Sequence, residues 1–213
     1  MNARFMDVEL LVERGVLVPR AETELLGNTA LELLPDGARI IDMCCGSGNL
    51  ACALASRLPQ ARVWASDLTD ACVSLAKRNA EFAGVQHRVV VRQGDLFSAL
   101  KELEGSIDLI VCNPPYISQA KLAGERAALL ENEPREAFDG GPYGLSIHQR
   151  VVKEALPFLK PGGHLLFEIG LGQDRQVRLL FERARAYEGL RTVANDAGEV
   201  RVIAARKINQ RGN

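Results

Sequence analysis

Apolar residues recur along this chain with two different periods, and the period switches back and forth. Short apolar runs at 39–43, 62–65, 88–91, 107–112 and 164–169 read as buried strands. Between them, 22–34, 50–58, 70–82, 147–159 and 174–188 carry apolar residues three or four apart, the spacing of helices with one buried face. Thr69 or Asp70 is placed to cap the third of these. A shorter helix is expected at 97–103. Residues 8–18 predict two short strands around Gly15, a hairpin at the start of the chain, and 191–194 with 200–205 predict a closing antiparallel pair. Pro35-Asp36-Gly37 and Lys160-Pro161-Gly162-Gly163 end the elements before them. Residues 117–144 show no period at all. A loop that long is expected to shape a binding pocket and to order when that pocket fills.

Strands alternating with helices mean an α/β domain, with a mainly parallel sheet covered on both faces. In such sheets ligands collect beyond the C-terminal ends of the strands, so the residues that follow each strand are the ones to inspect.

After the strand at 107–112 stands Asn113-Pro114-Pro115-Tyr116. Proline has no N–H, so Pro114 and Pro115 present carbonyl acceptors only, and each pushes the residue before it toward an extended shape. Asn113 adds a side-chain carbonyl. The product is a stiff loop of converging acceptors, suited to gripping an NH2 group by both hydrogens, with Tyr116 available to stack on a planar group. An Asn-Pro turn with no ligand is the plainer alternative.

At the end of the strand at 39–43 stands Asp42-Met43-Cys44-Cys45-Gly46-Ser47-Gly48-Asn49-Leu50. Gly46 and Gly48 permit a tight turn and close approach of a ligand to the backbone, and the next helix aims its N–H groups at the same place. Asp67, 19 positions after Gly48 and followed by Leu68, lies at the spacing where an acid meets ribose hydroxyls. The turn also satisfies a loose dinucleotide fingerprint, so nicotinamide and flavin cofactors compete. Asp42, taken with the Asn-Pro-Pro-Tyr loop, weighs against them: a carboxylate repels a pyrophosphate, whereas it suits the ammonium and sulfonium of S-adenosylmethionine. Asp95 and Leu96, after the strand at 88–91, complete the pocket, with Asp95 accepting from the adenine amine or simply capping the next turn.

The chemistry this predicts is methyl transfer to nitrogen, with S-adenosylhomocysteine as co-product. The acceptor nitrogen must come within about 3 Å of the methyl carbon, in line with the sulfur–carbon bond. Asn113 and the Pro114 carbonyl hold the NH2 and support the charge that develops there. No strong general base is required, because the methylated nitrogen becomes acidic enough to release its proton to solvent.

These residues carry a resemblance to the HemK-type glutamine methyltransferases that modify peptide-chain release factors, and the likeness spans nearly the whole chain. Val16 through Glu24 (Val-Leu-Val-Pro-Arg-Ala-Glu-Thr-Glu) is similar to that family's Pro-Arg-Pro-Glu-Thr-Glu segment. Asn113 to Tyr116 is similar to its catalytic loop. Glu133-Pro134, Asp139-Gly140-Gly141, Gly144-Leu145, the Leu166–Gly170 segment, Gln173, Asp196-Ala197-Gly198 and Arg201 resemble its later signatures. The resemblance implies a Rossmann-like class I methyltransferase with a seven-stranded, mostly parallel sheet, an antiparallel closing strand and a short β-hairpin before it. It implies that Asn113 and Pro114 hold the acceptor amide and that Asp67 holds the donor's ribose. Pro19, Arg20, Thr23 and Glu24, with Pro115 and Tyr116, are implied to line the acceptor side; helix capping is the local alternative for Thr23 and Glu24.

Two residues depart from the pattern. Cys44 stands where the family has glycine, and Ala21 replaces the second proline. The family's bacterial members also carry a helical N-terminal domain that contacts the release factor. Since the sequence begins almost at the hairpin before Pro19, that domain is expected to be absent. Recognition then falls to a partner subunit, or the acceptor is a small molecule.

Composition adds exclusions. A formal net charge of −1 argues against a large nucleic-acid footprint, which disfavours amino-methylation of DNA or RNA. Five cysteines without a disulfide-like framework fit a reducing cytoplasm, and no histidine stands near them at metal-ligand spacing, so no metal is expected. No apolar stretch is long enough to span a bilayer, and residues 1–9 lack the layout of a secretory signal. The chain is expected to be a single domain over 1–213, with a hairpin entrance at 1–20, a catalytic core at 21–208 and a frayed tail at 209–213. Besides a protein glutamine N-methyltransferase, the remaining readings are a small-molecule N-methyltransferase, a non-catalytic donor-binding subunit and, last, an oxidoreductase.

Overall fold

A computed structural model describes residues 2–124, 126–131 and 133–209. The chain opens with an antiparallel hairpin of β1 (Asn2–Phe5) and β2 (Val8–Leu11). It lies earlier than the 8–18 expected from sequence, because the turn is Met6-Asp7 and not Gly15. Both turn residues have positive φ (46° and 68°), the two-residue geometry that matches strand twist. Gly15 also has positive φ, but it bends an irregular segment that leads to Pro19.

A 3-10 turn at Ala21–Thr23 precedes α1 (Glu24–Leu33), so the helix starts two residues later than its apolar spacing suggests. The βα alternation then follows: β3 (Arg39–Met43), α2 (Asn49–Arg57), β4 (Arg62–Asp67), α3 (Asp70–Phe82), β5 (Val89–Gln93) and β6 (Ile107–Cys112). Thr69 caps α3, its hydroxyl accepting from Cys72 N at 3.3 Å. The short helix expected at 97–103 is two 3-10 turns, Leu96–Ala99 and Lys101–Leu103.

After β6 the described residues of the aperiodic stretch form one short helix, α4 (Gln119–Ala123), and two further 3-10 turns. A single bridge between Ile117 and Asp139 closes it into a compact excursion. The chain ends with α5 (Ser146–Glu154), β7 (Leu159–Glu168), α6 (Asp174–Ala184), β8 (Tyr187–Ala194) and β9 (Val200–Lys207). Of the tail expected at 209–213, residues 210–213 lie outside the described residues.

Two boundaries differ from the sequence reading for local reasons. The segment Lys160-Pro161-Gly162-Gly163 belongs to β7 and does not precede it. The register against β6 shifts there, and a Cβ on Gly163 would meet the Ile107 carbonyl at 3.0 Å, so the Pro-Gly-Gly run forms an irregular strand start pressed on its neighbour. α6 stops at Ala184, where Arg185 takes a left-handed conformation (φ 50°), and the chain turns into β8 at Tyr187.

The seven strands order as β5-β4-β3-β6-β7-β9-β8, parallel except for β9, which runs antiparallel to both neighbours. Consecutive strand residues face opposite layers. Ile40, Leu109 and Val111 pack under α1, α2 and α3, whereas Ile41, Ile110 and Cys112 pack under α5 and α6. Among the described residues, no helix is long and apolar enough to cross a membrane.

Candidate active site

The strand order reverses between β3 and β6. β4 lies on one side of β3 and β6 on the other, with Met43 directly beside Cys112. The residues that leave these two strands therefore emerge side by side, at the crevice where parallel sheets bind ligands. That register brings the glycine turn and Asn113-Pro114-Pro115-Tyr116 together, although they are some 65 positions apart in the chain.

On the β3 side lies a narrow cleft of about 30 Å³, lined by Pro19, Thr23, Asp42, Cys44, Gly46 and Asn113 among others. Gly46 and Gly48 both have positive φ (53° and 76°), and a Cβ on Gly48 would press on the Ala76 backbone of α3 at 3.2 Å. Cys44 adopts φ 59°, the left-handed region that favours glycine, at a cost of about 1–2 kcal/mol. Asp42 is buried; its Oδ2 accepts from Ala51 N at 3.0 Å, and its Oδ1 has no partner among the described residues. Burial pushes its carboxyl up to about 7, the Ala51 N–H pulls it down, and nearby Asp67 raises it further. An unpartnered buried carboxylate oxygen on this cleft fits a cationic ligand group. Asp67, at the end of β4, accepts from Gly46 N at 2.9 Å and from Thr69 N at 3.2 Å, holding the turn in shape. Leu68 beside it is 59% exposed, an apolar face at the open end of the site. Leu96 is buried in a left-handed conformation, and its carbonyl accepts from Ser66 Oγ. Asp95 makes no capping hydrogen bond; it pairs with Arg150 at 2.8 Å. Burial pushes the Cys52 and Cys72 thiols up to about 12 and raises Cys45 and Cys112 as well, which suits them to packing and not to reaction.

On the β6 side is a much larger cavity of about 740 Å³. Asn113, Pro114, Tyr116, Glu168 and Arg201 line it, with Ile117, Lys121 and Phe138 from the long excursion and Tyr143 and Leu171 exposed among the residues around it. Leu17, Arg20 and Asn113 belong to both spaces, so Asn113 stands in the partition between them. Asn113 Nδ2 donates to Thr23 Oγ at 3.0 Å, which leaves Oδ1 as the outward acceptor. The Tyr116 hydroxyl donates to Glu168 Oε1 at 3.1 Å and accepts from Arg201 Nη2 at 3.2 Å, while Gln173 Nε2 donates to the Tyr116 carbonyl at 2.9 Å. Burial raises the Tyr116 hydroxyl and the Glu168 carboxyl above their ordinary ranges; the Thr23 hydroxyl, Arg201 and Tyr116 act the other way on Glu168. Arg20, on the cavity wall, pairs with Glu133, and Glu133 also accepts from Val18 N at 3.0 Å.

Thus the structure gathers Pro19, Arg20, Thr23, Asp42, Gly46, Asn113, Pro114 and Tyr116 around one partitioned space, with Gly48, Asp67, Leu68, Asp95 and Leu96 on the turns along the β3–β5 edge. Two expected acceptor-side residues stand elsewhere. Glu24 points away, accepting from Met6 N at 2.9 Å in a separate cleft under the hairpin. It follows Thr23 at the start of a helix, so the two side chains diverge by about 100° and cannot face one site. Pro115 turns its carbonyl toward Gly140, where any Cβ would meet it at 2.8 Å. Glu168, Arg201, Gln173 and Glu133 were visible in the sequence only as family signatures; their common position around Tyr116 and Arg20 comes from β7, β9 and the loop packing.

Residues 22–136 match the protein family described as Methyltransferase small domain. The release factor glutamine methyltransferase of Moorella thermoacetica is 38% identical over 206 residues, covering 96% of this chain and 72% of that protein. The chain belongs to the release factor glutamine methyltransferase family. It is an S-adenosylmethionine-dependent methyltransferase. The corresponding protein of Geobacter sulfurreducens is 40% identical over 179 residues, covering 84% of this chain and 62% of its own. Among solved structures, the release-factor-specific protein-(glutamine-N5) methyltransferase of Alicyclobacillus acidocaldarius superposes with a TM-score of 0.53 at 26% identity, over 90% of this chain and 94% of that one. A Pyrococcus furiosus methyltransferase superposes with a TM-score of 0.68 over 94% of this chain and 89% of that one; at 16% identity it shares the fold alone.

Proposed function

We propose that this chain methylates the side-chain amide nitrogen of a glutamine in a protein, a peptide-chain release factor being the first candidate. The observation that carries the reading is Asn113, which stands in the wall between a narrow cleft holding an unpartnered acid and a wide, open cavity. S-adenosylmethionine, when bound, supplies a methyl group on positively charged sulfur. Asp42, Gly46, Gly48, Asp67, Leu68, Asp95 and Leu96 are the residues that would hold it, Asp42 toward its ammonium and Asp67 toward its ribose. From the other side, Asn113 Oδ1 and the Pro114 carbonyl accept the two N–H groups of the glutamine amide. Both oxygens then face the nitrogen as it becomes positive, so they stabilise the transition state more than the ground state. Tyr116, fixed through its hydroxyl and its carbonyl, flanks the planar amide. Leu17, Arg20 and Asn113 form the partition, with Pro19 and Thr23 on the side of the narrow cleft. A cavity of this size accommodates a loop of protein around the glutamine. The whole of 1–213 acts as one methyltransferase unit in this reading, with recognition shared with a partner subunit if the cavity rim alone does not supply it.

The test is to incubate the chain with methyl-labelled S-adenosylmethionine and an unmethylated bacterial release factor. Label is expected on one glutamine. Asn113→Ala should lower kcat by roughly 100-fold or more while changing the affinity for S-adenosylhomocysteine less than about twofold. Label that entered only the small-molecule fraction of a cell extract, or normal transfer by Asn113→Ala, would overturn the reading.

A further inference from the structure

An asparagine that grips an amine serves only one way round. Its Oδ1 accepts an N–H, whereas Nδ2 in the same place would face the NH2 donor to donor. Here Nδ2 is turned inward, onto Thr23 Oγ at 3.0 Å. A hydroxyl by itself does not enforce that choice, because it can donate or accept with equal ease. Its own proton must be committed elsewhere.

Thr23 is 2% exposed, and its hydroxyl lies beside the carboxylate of Glu168, which is also 2% exposed. Glu168 Oε1 is occupied by the Tyr116 hydroxyl at 3.1 Å and by Arg201 Nη2 at 3.3 Å. Its Oε2 is buried and makes no hydrogen bond among the described residues. A buried acceptor without a donor next to a buried hydroxyl proton without an acceptor is a costly arrangement unless the two pair. Arginine can only donate, so the Arg201 end of Glu168 is fixed as an acceptor, and an ionised carboxylate is an acceptor at its other end too.

We propose that Glu168 and Thr23 are positioning residues that set the orientation of the Asn113 amide. Glu168 takes the Thr23 proton, Thr23 can then only accept from Asn113 Nδ2, and Oδ1 is left facing the acceptor. This rests on the reading of Asn113 as the grip on the amine.

Glu168→Gln is the informative change because it keeps the shape and inverts one polarity. Arg201 retains the new side chain's carbonyl oxygen, so the NH2 faces Thr23. Thr23 accepts from it and gives its own proton to Asn113, whose amide turns over. Methyl transfer from labelled S-adenosylmethionine to an unmethylated release factor is measured under single turnover for Glu168→Gln, Thr23→Val, Thr23→Ser and Asn113→Ala. Affinity for S-adenosylhomocysteine and melting temperature are recorded for each. Glu168→Gln and Thr23→Val should be about 10- to 100-fold slower with donor-site affinity within about twofold, and Thr23→Ser should recover to within about threefold of the parent. Adding Glu168→Gln to Asn113→Ala should cause no further loss, since no amide remains to orient. Parent-like rates in Glu168→Gln and Thr23→Val, failure of Thr23→Ser to rescue, or losses that multiply in the Asn113→Ala background would overturn the proposal. If Asn113→Ala alone transferred normally, the grip itself would fall; if only Asn113→Ala were slow, the grip would stand and this inference would fall.

Discussion

Replacing Asn79 with leucine removes three hydrogen bonds without removing much volume. Asn79 sits on α3, fully buried. Its Oδ1 accepts from Leu11 N at 2.7 Å, and its Nδ2 donates to Leu11 O at 3.1 Å and Ser47 O at 2.9 Å. One side chain thereby pairs with the free edge of β2 and holds the glycine turn of the proposed donor site. The Ser47 carbonyl is buried and would lose its donor at a cost of about 1–3 kcal/mol; the two partly buried Leu11 groups would each lose about 0.5–1.5 kcal/mol. The sum is roughly 2–6 kcal/mol, which for a chain of this length lowers the melting temperature by roughly 4–24 °C. Calorimetric melts measure the first effect. Titration with S-adenosylhomocysteine measures the second, an expected weakening as Ser47 loosens. Asn79→Asp keeps the acceptor but sets a carboxylate against two carbonyls, so it should be at least as damaging at neutral pH. A melting temperature within about 2 °C of the parent for Asn79→Leu, with the Leu11 amide still protected from hydrogen exchange, would refute this account.

Three further outcomes concern Asp42 and Gly144. Burial raises the Asp42 carboxyl from 3.8 to about 7, so its protonated form favours the folded state. That contribution is complete below about pH 4 and is lost as pH rises through 7, so Asp42→Asn should flatten the fall in stability between pH 4 and 7, by about 4 kcal/mol at most. Binding a cationic ligand against Asp42 should also release up to about half a proton at pH 7, read as a dependence of calorimetric enthalpy on the buffer's ionisation enthalpy. Gly144 has φ 72°, and a Cβ there would meet the Tyr116 carbonyl at 2.3 Å. Gly144→Ala should therefore displace the loop at 113–116, lowering kcat about tenfold or more and stability by about 1–3 kcal/mol, and a parent-like kcat would count against the loop's rigidity.

Much of this was legible in the chain. Runs such as 107–112 are apolar on both faces, which only the middle of a parallel sheet requires, and five strands and most helices lie where their periods placed them. The errors fall where one local preference met another. Gly15 is the obvious turn former, but Met6-Asp7 makes the hairpin. Lys160-Pro161-Gly162-Gly163 carries breaker residues, yet an irregular register against β6 admits it to a strand. Asn113, Asp42 and the glycines announce themselves because each sits at or just beyond the end of an apolar run. Asn79, Glu168 and Arg201 do not, because nothing in the residues beside them says what they touch.

The sequence by itself determined the elements, the family and the chemistry, because backbone preferences, strand-end motifs and donor or acceptor character are properties of neighbouring residues. The tertiary structure decided which residues share a site and which way round they face. Strand order put Asn113 beside the glycine turn, helix rotation turned Thr23 inward and Glu24 away, and β7 and β9 delivered Glu168 and Arg201 to Tyr116. Hydrogen-bond partners in a buried network are fixed by packing between distant segments, and no local pattern in the chain encodes that geometry.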